Sequence, residues 1–407
     1  MLLKVAWRSI WRNKRRTIIT LTSIVFSLTI AIFFIAMSDG MYDKLTDEAV
    51  RMQAGHLTVE HKEYRDAPAI DLVMEGTEEL SKSLSRLEGV ERIKALVSGQ
   101  GVAKSGSGSI GVVVLGVDAK AERDQTPLAK KMVAGEYLAD DDEAKVVIGS
   151  LLAKRLKLKV GKKMVVSSNS VDGHLVEELV RVRGIFETGA TEVDGFFIQI
   201  PLGFARKLYD MKPNQATQLG IILTADADRD LVMEEVQKLL AKGQALRTWQ
   251  EVMPDLAAFM AVDKGSNYVF QGIIMFLILF TIFNTILMSV LERSREFAVL
   301  LAIGTSVARI KAQVFIESAL IGLVGALLGV GAGGGLTWYF NVQGLDVSAM
   351  MEEGLAVSGF SIDTVLRPAV DPAMMLLLGG AIFGATMIMS LFPMGRIKRI
   401  PVADVLR

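Results

Sequence analysis

Cysteine is absent from all 407 residues, so no disulfide can staple the fold and no cysteine can carry a lipid anchor. Any sizeable domain here must hold together by its own core. Histidine is scarce: His56, His61 and His174 are the whole supply. His56 and His61 stand five apart in an alternating stretch, on opposite faces of a strand, and no thiol accompanies them. Surface histidines are the default reading, and no metal site is expected. No serine occupies a G-x-S-x-G elbow, and no G-x-x-x-x-G-K-[ST] loop occurs. The nearest approach, Val160-Gly161-Lys162-Lys163, lacks both the upstream glycine and the Mg²⁺-binding hydroxyl, and reads as a turn. Any nucleotide energy must therefore come from another subunit. The formal net charge is zero, which gives no case for nucleic-acid binding. No convincing internal repeat is found, which argues against an inverted-repeat transporter.

The absence with the most content is local. Thr17–Met37 and Gly265–Leu291 contain no Asp, Glu, Lys or Arg, and each exceeds the roughly 20 residues a helix needs to cross hydrocarbon. Two further candidates follow, Ser318–Leu345 within a third span over 314–345, and a fourth over 372–395. Hydrophobic residues make up 51% of the chain, yet 22% are charged, too many for a chain wholly in the membrane. The expected fold class is thus an α-helical membrane protein with four transmembrane helices plus a large α+β extracytoplasmic domain.

Charge distribution orients the spans. Residues 1–16 carry Lys4, Arg8, Arg12, Lys14, Arg15 and Arg16 with no acid, and the 396–407 tail carries Arg396, Lys398, Arg399 and Arg407 against Asp404. The 346–371 loop holds Asp346, Glu352, Glu353, Asp363 and Asp371 against Arg367. Lysine and arginine accumulate on the cytoplasmic side, so both termini are expected inside and the 38–264 insert outside. Thr17–Met37 is read as a retained anchor, because its apolar core is long and no small-x-small cleavage site follows it.

Within the insert, Tyr42–Met52 and Trp249–Val262 read as helical stalks continuing the first two spans and coupling the insert to them. Strands are predicted at Val112–Val117, Val146–Ile148, Met164–Ser167, Leu179–Val182, Gly195–Ile200 and Gly220–Thr224. Helices are predicted at Thr77–Leu87, Leu151–Leu158, Leu202–Tyr209 and Arg229–Ala241, the last capped by Asp226 or Asp228. Two lobes are expected, one from Gly55–Val117 plus Gln218–Arg247 and one from Lys131 to Pro213. Gly99–Gly111, rich in glycine and serine, is predicted to be a flexible loop. Small residues spaced by four, Gly325/Gly329/Gly333 and Gly380/Gly384, mark close-packing helix faces, within the chain or between subunits.

The segment over 292–313 is read as an amphipathic helix ended by Gly304. Glu292 and Glu296 lie one turn apart, Arg293 and Arg295 stand beside them, and Phe297, Leu300 and Leu301 form an apolar side. It is either an interfacial helix or a lever held by a partner. Its string ERSREFAVLLAIG resembles the coupling-helix segment of FtsX-like ABC transporter permeases, the group containing MacB-type exporters and the lipoprotein-releasing LolC/LolE permeases. The closing Pro393–Arg407 and the opening Ala6–Arg16 are similar to the basic ends of that family. The resemblance implies a MacB-like periplasmic core domain in the inner membrane of a bacterium. It implies no cofactor on this chain, with ATP and Mg in a dimeric partner ATPase, and a second permease subunit, the same or homologous. Glu292, Arg293, Arg295, Glu296, Phe297, Leu300, Ala302 and Gly304 would carry ATPase coupling. Relatives often hold Lys or Arg where this chain has Leu301.

Lipoprotein release fits the length and topology best, with a lipoprotein cargo, a periplasmic carrier and membrane lipid as further partners. Holding acyl chains needs an apolar cavity, expected in a dimer between the first and second spans of opposing subunits and lined by Val25, Phe26, Ile30, Phe33 and Phe34 of the first span and Phe270, Ile274, Leu277 and Ile278 of the second. Export of small molecules or peptides as in MacB, FtsX-like regulation of a cell-wall hydrolase without transport, and a binding scaffold remain as alternatives.

Overall fold

The computed structural model describes residues 7–8, 10–12, 14–52, 55–123, 126–139, 141–347, 356–357, 360–361 and 365–397. Lys4, the acidic residues Glu352, Glu353 and Asp363, and the closing motif from Lys398 onward lie outside them. The chain divides into two compact units, one built on Met1–Tyr42, Val262–Val347 and Thr364–Arg407, the other on Asp43–Ala261.

The first unit is a bundle of four helices long and apolar enough to cross a membrane. They are α1 (Lys14–Met52), α2 (Pro254–Glu292), α3 (Val307–Gln343) and α4 (Pro372–Ile397), joined between α2 and α3 by a linking helix, Ser294–Ala302. Pro254 opens α2, where a missing backbone N–H costs nothing. The linking helix stops at Gly304, whose φ of +90° lets Gly304 and Thr305 donate back to the Leu301 and Leu300 carbonyls.

One apolar stripe on each helix makes the core. Ile24, Leu28 and Ile32 of α1 meet Ile278, Ile282 and Ile286 of α2 around Ala326, Met375 and Ile382. The glycines of α3 face α1: a Cβ at Gly325, Gly329 or Gly333 would come within 2.8, 2.9 or 3.0 Å of Ile24, Leu28 and Ile32 respectively. That stripe is an intrachain packing face, and because the pairs ascend together, α1 and α3 run parallel. In α4 the close approach falls at Gly379, against Val330, whereas Gly380 and Gly384 meet nothing within 4 Å. Spacing identified the helix; rotation about its axis selected the residue.

The second unit is a mixed α/β domain on one ten-stranded sheet, ordered β10-β1-β9-β2-β3-β8-β5-β7-β4 with β6 paired to β2 and β7. In chain order the strands are β1 (Leu57–His61), β2 (Val90–Ser105), β3 (Gly108–Val117), β4 (Met132–Gly135), β5 (Lys145–Gly149), β6 (Lys163–Asn169), β7 (Leu175–Phe186), β8 (Phe197–Pro201), β9 (Gln218–Leu223) and β10 (Gln244–Thr248). Predicted helices appear as Thr77–Leu84, Ser150–Arg155, Leu202–Leu208 and Arg229–Leu239, and Asp228 caps the last through Asp230 N–H and Leu231 N–H.

The lobes divide inside a strand. β2 pairs β9 from Val90 to Leu96 and β3 from Val97 to Ser105, so one 16-residue strand serves two cores. Leu57, Val59, Leu219 and Ile221 centre the first core; Val114, Val166, Ile198 and Tyr209 belong to the second, which takes β3 with it. The Gly99–Gly111 segment is not a flexible loop but the paired arms of the β2–β3 hairpin. Its glycines serve close approach: a Cβ at Gly99 would lie 2.6 Å from the Tyr209 hydroxyl, and one at Gly101 would lie 3.0 Å from the Ser167 carbonyl on β6.

Candidate functional site

Both ends of the bundle carry polar groups just beyond the apolar stretches. At the linking-helix end, Arg12 Nη2 donates to both Glu296 oxygens at 2.5 and 2.6 Å. Arg293 reaches Glu296 at 3.2 Å and Glu317 at 2.6 Å, and Gln313 donates to the other Glu317 oxygen at 3.0 Å. The Arg293 guanidinium also lies 5.0 Å from the Phe297 ring centroid. Arg12 holds the Glu296 carboxyl below the ordinary carboxylate range. Beneath this network Phe297 is fully buried among Val290, Ile310, Val314 and Met394.

The residues singled out for ATPase coupling therefore separate. Phe297 is core, Leu300 packs half-buried beside it, and Arg293 and Glu296 bond within the chain. Glu292, Arg295, Ala302 and Gly304 are exposed, as are Val299 and Ile303, which were not singled out. Sequence reasoning also missed Arg12 and Glu317; the available signal was a lone acid, Glu317, abutting an apolar run.

At the opposite end a recess of about 500 Å³ opens between α1 and α2. Phe34, Phe270, Ile274 and Ile278 line it, joined by Ile35, Met41 and Leu378. Val25, Phe26, Ile30, Phe33 and Leu277 do not; Phe33 packs 5.5 Å from Phe340 of α3, and Phe26 and Leu277 are exposed. A polar clasp closes the rim. Tyr42 donates to Asp263, Asn267 Nδ2 donates to Ser38 at 3.0 Å and to Tyr42 at 2.9 Å, and the Lys264 ammonium lies 4.8 Å from the Tyr42 ring.

Two of the three histidines accept backbone hydrogen bonds in the α/β domain. His56 Nδ1 accepts from Leu223 N–H at 3.1 Å, and burial lowers its pKa; His61 Nδ1 accepts from Glu63 N–H at 3.3 Å.

A family model described as the MacB-like periplasmic core domain matches residues 17–239, more than half the chain, and one described as the FtsX-like permease C-terminal matches 268–402. The chain belongs to the family of FtsX-like permeases with a MacB-like periplasmic core domain. This permease is 23% identical to the lipoprotein-releasing system transmembrane protein LolC of Neisseria meningitidis serogroup B, across 96% of the chain and 94% of the relative. It is 25% identical to the pyoverdine export ATP-binding/permease protein PvdT of Pseudomonas fluorescens, across 81% of the chain and 50% of the relative. The crystal structure of the periplasmic region of MacB from Actinobacillus actinomycetemcomitans aligns with 51% of the chain and 95% of its own, at 14% identity and a TM-score of 0.36. The permease is a multi-pass membrane protein of the ABC transporter class, which implies an ATPase partner.

Proposed function

We propose that this permease couples ATP hydrolysis in a separate ATPase dimer to movement of its periplasmic-type domain, and that its cargo is an acylated lipoprotein released from the inner membrane. The observation that carries the cargo reading is the apolar recess between α1 and α2, closed by a clasp of hydrogen bonds. Withdrawing acyl chains from a bilayer costs about 0.8 kcal/mol per methylene, so a multiply acylated anchor leaves only if another apolar surface receives it. The recess offers such a surface, and a second permease, the same or homologous, would complete it. The exposed face of the linking helix, with Arg295, Val299, Ala302 and Ile303, is the ATPase contact in this reading.

The test is native mass spectrometry of lipoprotein copurifying with the permease. Phe34→Asp places a charge in the recess and should abolish retention, whereas Leu277→Asp, outside the recess, should retain it. Equal retention by both variants would move the cargo elsewhere and favour regulation without transport. Orientation is tested separately, since the chain offers no cysteine background. Ser107→Cys, in the exposed hairpin turn, should react with an impermeant thiol reagent in intact cells, and Arg295→Cys should not.

A further inference from the structure

The last turns of α1, from Asp43 onward, belong to the α/β unit. The final carbonyls of a helix have no partner within it. One of them, that of Arg51, accepts from the Lys94 ammonium at 2.7 Å. Lys94 stands in the half of β2 that pairs with β9, and the same Nζ lies 2.9 Å from Glu122 Oε1. Both side chains are almost fully buried, at 4% and 1% exposed, and no hydrogen bond from another described residue reaches that carboxylate. Glu122 belongs to a different body from Lys94. Its short helix, Ala119–Arg123, follows β3, and Arg123 Nη2 donates to the Leu138 carbonyl at 3.1 Å. Beside Leu138, the Tyr137 hydroxyl donates to Gln199 of β8 at 2.6 Å, and β8 supplies Ile198 and Ile200 to the second core. One ammonium therefore touches three parts: the end of α1, the first lobe through its own strand, and the second lobe through Glu122.

These parts are otherwise joined unequally. The first lobe follows α1 through the short connection to β1 and through the Arg51 guanidinium, which meets Glu91 of β2 at 3.2 Å. The second lobe has a further ionic contact with α1, Lys131 to Glu48, but it is 3.9 Å long with side chains 31% and 22% exposed, where screening weakens it. Burial makes the Lys94 contact different. An ammonium taken out of water must keep its partners, because a buried charge that loses one is strongly destabilised. Drawing the Arg51 carbonyl away would strand Lys94, so the lower-energy course is for β2 and the Glu122 helix to move with it.

We propose that Lys94 is the joint that makes the second lobe follow the end of α1. The joint acts in the permease at rest, so its test needs neither ATPase nor cargo, and its failure is separate from theirs. With no cysteine in the chain, spin labels can be placed singly. In the full-length permease in nanodiscs, Asp43→Cys on α1 is paired with Glu192→Cys on the second lobe or, as control, with Lys82→Cys on the first; all three positions are exposed. Pulsed electron spin resonance reads the two distance distributions. Lys94→Met combined with Glu122→Met replaces the buried pair by apolar side chains, a change such sites tolerate. The distribution from α1 to the second lobe should become several-fold broader, while that from α1 to the first lobe stays as in the wild type. Should the double variant not fold, Glu122→Gln takes its place: it keeps the shape and the bond from Lys94 to Arg51, and should broaden the same distribution to a lesser extent. An unchanged distribution in whichever variant folds, or equal broadening of both, would overturn the proposal.

Discussion

At one end of the bundle Arg12, Glu296, Arg293 and Glu317 form a continuous chain of ion pairs, whereas at the other Ser38, Tyr42, Asp263 and Asn267 meet through hydrogen bonds with a single carboxylate among them. The first chain ties three segments together, the basic N-terminal stretch, the linking helix and α3. The second joins α1 to α2 alone. Charge-assisted bonds are roughly twice as strong as neutral ones, and breaking one partner of a half-buried pair strands the other. The bundle is therefore firm where the linking helix is seated and more easily parted where the recess opens, an asymmetry that the proposed coupling would use.

The largest expected effect breaks the firm end. Glu317→Leu leaves Arg293, whose side chain is only 15% exposed, without its 2.6 Å partner, and should cost about 3 kcal/mol of stability. Denaturant unfolding in detergent reads the loss, and weaker copurification of the ATPase should accompany it; an unchanged transition would remove the asymmetry. A smaller effect is expected at the other end. Asn267→Leu deletes two hydrogen bonds to Ser38 and Tyr42 and should cost roughly 1–2 kcal/mol, while a cysteine at Phe34 becomes more reactive toward thiol reagents. A loss equal to that of Glu317→Leu would show the two ends to be equivalent.

The smallest effect sharpens the comparison through pH. Arg12 depresses the Glu296 carboxyl below its unfolded value, so the stabilisation is complete above the ordinary carboxylate range and is lost as pH falls through the depressed value. Because the side chain is 44% exposed, screening keeps the change small. Thermal unfolding of wild type and Arg12→Gln should differ at neutral pH and converge on acidification; a constant difference would place the Arg12 contribution outside this ion pair.

The four spans were legible because charge-free runs of that length have one physical explanation. Strands such as β5 and β6 and the cap at Asp228 were legible for similar local reasons. The β2–β3 hairpin was not: glycine chosen to let Tyr209 approach has the same composition as glycine chosen for flexibility, and only the fold separates them. The stripe of Gly325, Gly329 and Gly333 announced a packed face without naming Ile24, Leu28 and Ile32 as its occupants. The candidate site shows the same limit. α1 and α2 are apolar on all sides, so no periodicity marks Phe34 as lining the recess and Leu277 as facing away. Arg12 and Glu296 are 284 positions apart, beyond the reach of any local pattern.

Successive sockets on α3 are four residues apart, and so are the side chains of α1 that fill them. The contact thus repeats along its own length like the teeth of a rack. Displacing α1 by one tooth, about 6 Å along the axis, would seat Ile24 against Gly329 and Leu28 against Gly333, with Ile32 opposite Thr337. Stopping between teeth would drive branched side chains into backbone. Whatever pushes on α1 therefore meets a detent: small loads are resisted, and a load large enough to move the helix moves it by a whole turn.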